Sequence, residues 1–267
     1  APEAPVVSIE KVESRTIFSG AYHNCALDSS GGIECWGRDD YSQVTDTPTG
    51  AGYTSVTGGT SHNCALDSSG GIECWGGDDY GQVTDTPTGT GYTAVSASEW
   101  SNCALDSSGA IECWGWDNYA QVSDAPTGNG YTLVTGGTYH FNALNSSGGI
   151  ESWGRDDENL ITDTPSGEGY TLVNAGEWNS CALNSSGEIE CWGFDGFDSV
   201  TDTPSGAGYV AVAGGGNHNC ALDASGNIEC WGRDDDDQVT DTPTGSSYTT
   251  LIAGSVHNCA LDSSGEI

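Results

Sequence analysis

The residues of this chain best equipped for chemistry are 11 cysteines and 5 histidines, and both fall on a fixed grid. Cys25, Cys64, Cys103, Cys181, Cys220 and Cys259 stand 39 residues apart or twice that, with Asn142 in the one place that lacks a thiol. Five of them are followed ten residues later by Cys35, Cys74, Cys113, Cys191 and Cys230. Paired thiols form disulfides or hold zinc. Structural zinc sites favour close CxxC spacing, and none occurs here. The fourth repeat has Asn142 and Ser152 at the two places and so loses both cysteines together, as a bonded pair requires. The expected bridges are Cys25–Cys35, Cys64–Cys74, Cys103–Cys113, Cys181–Cys191 and Cys220–Cys230, which leaves Cys259 unpaired.

All five histidines, His23, His62, His140, His218 and His257, occupy one slot of the grid. Catalysis needs unlike groups converging on one point. A ring of like residues therefore reads as structural hydrogen bonding, with a metal ring about an axis as the alternative. Asp39-Asp40, Asp78-Asp79, Asp156-Asp157 and the run Asp234 to Asp237 invite calcium, but no DxDxDG loop with a distal Glu accompanies them. They read as solvated acidic loops. The expectation is no catalytic residue, no metal site and no cofactor.

Two slots vary while the frame around them stays constant. Before the histidine lie Tyr22, Ser61, Trp100, Tyr139, Trp178, Asn217 and Val256; after Trp-Gly lie Arg38, Gly77, Trp116, Arg155, Phe194 and Arg233. Aromatics and Arg are the usual anchors of interfaces. Tyr22, Trp100, Tyr139, Trp178, Arg38, Trp116, Arg155, Phe194 and Arg233 are the candidate binding residues, expected as an arc over repeats one, three, four and five that takes a protein or glycan. Packing between repeats is the competing role. Asn145 and Asn184 replace the usual turn aspartate and create N-S-S sequons, open to glycosylation or to plain Asp/Asn exchange.

The elements that position these groups are β-strands. Each repeat is a series of short runs cut by Gly, Pro, Ser and Asp, with no sustained helical period. Gly31, Gly70, Gly109, Gly148, Gly187, Gly226 and Gly265 hold one slot in every copy, whereas the next position varies. A three-residue hairpin loop, Ser29-Ser30-Gly31, needs a positive φ at that glycine. The loop sets Cys25 opposite Cys35. Trp36, Trp75, Trp114, Trp153, Trp192 and Trp231 are expected as apolar wedges between units.

A 39-residue period marks a stacked repeat architecture. The motif, roughly G-x-x-H-N-C-A-L-D-S-S-G-x-I-E-C-W-G-x-D-x-x-x-Q-V and clearest over His62 to Gln82, resembles the repeat of the regulator of chromosome condensation (RCC1) family. The resemblance implies an all-β, seven-bladed β-propeller of four-stranded blades. It brings to mind a nucleotide exchange factor for a small GTPase and a secreted β-lactamase inhibitor of similar fold, neither of which transfers by fold alone.

The domains expected are an N-terminal tail and closing strand over residues 1–13 and an RCC1-like propeller over 14–267, six full repeats and a partial seventh. The incomplete seventh blade is expected to close through the strand-like Val6 to Val12 or through a neighbouring chain. Truncation, strand-exchange polymerisation and a gapped monomer all stay open.

Five Lys+Arg stand against 39 Asp+Glu, a formal net charge of -34. A field of that sign repels nucleic acid and anionic lipid. It also favours a saline habitat, where counterions screen self-repulsion. No run is apolar enough for membrane insertion. The absence of Met, the Ala1-Pro2-Glu3-Ala4-Pro5 start and the cysteine count read as a processed, secreted chain, extracellular or at the cell surface. The function expected is a non-enzymatic structural or interaction protein that self-associates as a filament subunit, or alternatively a secreted binding module or inhibitor recognising a protein or glycan through one face.

Overall fold

The computed structural model describes residues 17–264, as a ring of seven antiparallel sheets. In blade two an inner strand, Tyr53–Gly58, pairs with a middle strand, His62–Asp67, which pairs with an outer strand, Ile72–Gly76. Blades one and three to six repeat this order, and blade seven is described through its inner and middle strands, Tyr248–Ala253 and Asn258–Asp262. The inner strands touch one another in succession, and that of blade seven touches that of blade one, so they surround the axis. The fold is a seven-bladed β-propeller. The closing strand expected over Val6 to Val12 lies outside the described residues.

Among the described residues the sheets of blades one to six are three-stranded rather than four-stranded. The acidic stretch in the place of a fourth strand is a turn, because its first aspartate binds its own loop. Asp39 Oδ1 accepts the Val44 and Thr45 N–H groups at 2.8 and 3.0 Å, and Asp78, Asp117, Asp156, Asp195 and Asp234 repeat the pattern. A backbone committed to a side chain cannot also join a ladder.

The hairpin follows the expected register: Leu27 faces Ile33 and Cys25 faces Cys35. Gly31 has φ 75°, and a Cβ there would also meet the Tyr53 carbonyl at 2.4 Å, because the next blade begins against this tip. Five disulfides join the expected pairs, each spanning ten residues with Cα atoms 4.0–4.1 Å apart. Cys259 keeps a free thiol.

The middle strands of blades two to six are buried on both faces, so HNCAL reads as a continuous run rather than an alternating one. The core lies between blades. Cys64 and Leu66 of blade two pack with Val95, Ala104 and Trp114 of blade three. Trp75, Trp114, Trp153, Trp192 and Trp231 are buried, and their indole N–H groups donate to a carbonyl of the loop after the preceding blade. Trp36 departs from the expected wedge and is 42% exposed.

The histidines also join blades. His23, His62 and His218 reach Asn63, Asn102 and Asn258 of the next blade through Nε2 at 2.7–2.9 Å, and His140 reaches Ser180 at 2.8 Å. His257 crosses from last blade to first, its Nε2 lying 2.7 Å from Ser19 Oγ.

Candidate interaction face

At one end of blades one to six two loops meet: the turn from inner to middle strand, and the loop leaving the outer strand. Their backbones are bonded together. The N–H of Arg38 donates to the Tyr22 carbonyl, Trp116 to Trp100, Arg155 to Tyr139, Phe194 to Trp178 and Arg233 to Asn217, each at 2.9 Å. The two variable slots are thus one set of cross-strand pairs on one face of the disc. The sequon residues Asn145 and Asn184 sit at hairpin tips on the other face, where each Oδ1 accepts the N–H two residues on, at 3.0 and 2.9 Å.

Over blades three to five the pairs merge into one aromatic surface. Trp100 and Trp116 meet edge to face at 5.2 Å, and Tyr139 lies 5.8 and 5.5 Å from them and 5.7 Å from Trp178. Tyr80, from the loop after blade two, packs 5.9 Å from Trp100, and Tyr119 packs 5.2 Å from Trp116. The Arg155 guanidinium sits over Tyr119, Tyr139 and Trp178 at 5.0, 5.2 and 5.3 Å, and its Nε donates to Asp157 at 2.6 Å. Beside it opens a groove of about 620 Å³ lined by Arg155, Trp178, Phe194, Phe197 and Asn217. Phe197 is 53% exposed and holds φ 63°, a strained conformation for so bulky a residue.

Of the remaining candidates, Arg233 of blade six borders the groove, and the pair on blade one lies apart from the patch. Arg38 covers Tyr22 at 5.1 Å on blade one, and Arg233 reaches Phe197 at 5.8 Å. The expected arc over blades one, three, four and five is therefore a continuous patch over three to five and a separate pair on blade one.

Sequence reasoning missed Tyr80, Tyr119 and Phe197, and also Glu99 and Glu177, which precede Trp100 and Trp178. Both signals were present. The loop slot Tyr41, Tyr80, Tyr119, Glu158, Phe197, Asp236 varies, as does the turn slot Ala21, Thr60, Glu99, Thr138, Glu177, Gly216, Ser255. Glu99 is largely buried, which raises its carboxyl pKa; the Tyr139 and Thr60 hydroxyls oppose the rise, and the charge of Glu177 adds to it. The same surroundings, burial first and then Glu99, push the Tyr139 phenol up to about 12. Ser255 Oγ donates to the Glu177 carboxylate. Among the described residues no group of metal-ligating side chains converges.

The repeat pattern and the propeller now stand together, and a family model decides between them and coincidence: the regulator of chromosome condensation (RCC1) repeat matches residues 15–43 and 209–238. This chain has two repeats that match the RCC1 repeat pattern. No curated protein matches it by sequence. Among solved structures, the ring is similar to the CRINKLY WD40 ectodomain of the Arabidopsis thaliana receptor kinase ACR4, at 22% identity and TM-score 0.78 over 94% of each chain. It is similar to the ectodomain of the Physcomitrella patens receptor kinase CR4, at 24% identity and TM-score 0.76 over 93% of this chain and 70% of that one. It is also similar to Prp20p of Saccharomyces cerevisiae, whose structure is described with its binding to Gsp1p and histones, at 15% identity and TM-score 0.73 over 91% and 81%.

Proposed function

We propose that this chain is a non-enzymatic extracellular interaction module that captures a partner through the aromatic face above blades three to five. One observation carries the reading: unbroken ring contacts from Tyr80 to Trp178 with Arg155 stacked over three rings, at the only part of the disc where the variable slots merge among the described residues. Aromatic and Arg side chains held by one another lose little entropy when a partner covers them. Five disulfides and likeness to two receptor ectodomains support an extracellular setting. The face offers positioned rings and charges rather than a nucleophile beside a base, which supports binding over turnover.

The test is a peptide and glycan array probed with the chain and with Trp100→Ala/Trp178→Ala. Loss of binding at an unchanged melting temperature supports the reading. Unfolding of the variant assigns the rings to the core, and no binding by the parent chain ends the proposal.

Self-assembly by strand exchange is the second reading. It would act at blade seven, whose inner and middle strands Tyr248–Ala253 and Asn258–Asp262 pair antiparallel. Sedimentation of the chain with and without residues 1–13 tests it: equal assembly in both would remove the tail from any such role.

A further inference from the structure

The proposed face leaves its occupant open, and the charges beside it narrow the choice. The three Arg residues among those described are each paired to an Asp of their own loop: Arg38 to Asp40, Arg155 to Asp157, and Arg233 to Asp235 and Asp236. None is paired to Glu99 or Glu177. Those two carboxylates belong to the inner-to-middle turns of blades three and five, on either side of the blade-four turn, and each precedes a ring of the patch, Glu99 before Trp100 and Glu177 before Trp178.

Two carboxylates at the same end of the ring, one of them met by the neutral Ser255 hydroxyl, offer an incoming cation counter-charges to which no Arg of the described residues is paired. Trp and Tyr faces attract cations as well. The field of the whole chain, with a formal net charge of -34, draws cations in and turns anions away. A neutral sugar would stack on the rings but would leave the carboxylate pair uncompensated.

Resting on the interaction-face reading above, we propose that the occupant is a basic segment of a partner protein, a Lys or Arg of which inserts at the axial end of the aromatic patch with Glu99 and Glu177 as its counter-charges.

The experiment is fluorescence anisotropy with a labelled hexalysine peptide, using the full chain, and with a neutral glucose hexamer as competitor. Three variants are compared: Glu99→Gln/Glu177→Gln, Trp100→Ala/Trp178→Ala, and a charge-matched control, Glu34→Gln/Glu168→Gln, at exposed positions away from this face. Circular dichroism melts confirm that each is folded. The expected result is at least a ten-fold loss of hexalysine affinity in the axial variant, a loss in the Trp variant, little change in the control, and weaker binding as salt rises. Equal losses in the axial and control variants would show only the overall field and overturn the proposal. Sugar binding that the Trp variant abolishes, without a hexalysine effect, would overturn the cationic occupant while leaving the interaction face in place. Silence of every ligand would end both.

Discussion

The backbone N–H of Arg155 donates to the Tyr139 carbonyl at 2.9 Å, and the Arg155 guanidinium returns over the Tyr139 ring at 5.2 Å. One residue therefore fastens the end of its strand pair and the centre of the aromatic face. Arg155→Ala should cost about 1–2 kcal/mol, from three part-exposed cation–π contacts at roughly 0.5–1 kcal/mol each with partial redundancy. Arg155→Lys should recover little, because an ammonium cannot stack as a plane. Chemical denaturation gives the stability, and tryptophan emission, shifting as Trp116 and Trp178 gain water, reports the loosened face.

Acid should act on the ring in two stages. His62 and His140 are fully buried between blades, and burial pushes both imidazoles down from 6.5 to about 4. Their neutral form belongs to the folded state, so their contribution is complete above the ordinary value of 6.5 and is lost as pH falls from there toward 4. The loop and turn aspartates, such as Asp39 and Asp67, are held below 3.8 by the hydroxyl and backbone donors of Thr45 and Ser69, so theirs is lost only below 3.8. The melting temperature should fall in the first window and fall again in the second. His62→Gln should flatten the first slope and leave the second; an unchanged slope would remove His62 as its source.

Salt should move stability the other way. With a formal net charge of -34, the folded ring concentrates like charge, and screening shortens its reach to roughly 3 Å near 1 M salt. The melting temperature should rise from low to molar NaCl, and a flat or falling response would count against a saline setting.

Blade four invites a sixth bridge. Asn142 faces Ser152 in the register that brings Cys64 to Cys74, and the pair is joined instead by a Ser152 Oγ to Asn142 Oδ1 hydrogen bond of 2.7 Å. Asn142→Cys/Ser152→Cys should oxidise spontaneously. Closing a ten-residue loop adds roughly 2–3 kcal/mol, partly offset by the lost Asn142 bond to Ser180. Intact mass and a melt with and without reductant read both effects.

Much of this was legible before any coordinates. The period, the glycine turn and the joint replacement of both cysteines by Asn142 and Ser152 point to the register and the disulfides. The same register, continued three residues past Cys25 and Cys35, sets Tyr22 against Arg38, so the pairing of the two variable slots could have been read and was not. The distances between blades lay beyond the sequence. Arg155 reaches Trp178 because a 39-residue step becomes a small rotation about an axis, and no local pattern states that angle. Tyr80 and Tyr119 were hidden because the acidic stretch looked like a solvated loop or a fourth strand until Asp78 and Asp117 were seen to fold it back.

The last prediction concerns a double replacement at the join of blades three and four. At three other joins a histidine reaches an Asn forty residues on, as His62 does Asn102; here the two places hold Ser101 and Phe141. Phe141 is fully buried and stacks on Trp153 at 5.6 Å, while Ser101 turns back to Ser98 Oγ at 2.7 Å. An imidazole facing a phenyl ring would have no acceptor, and an Asn facing Ser101 would lose both the stack and a donor. Ser101→His and Phe141→Asn should each destabilise, whereas the pair together should regain the common His–Asn bond. Their coupling should fall in the range of roughly 0.5–3 kcal/mol seen for residues in contact. Urea denaturation of the four proteins measures it, and strict additivity would show that the two changes were never compensating for one another.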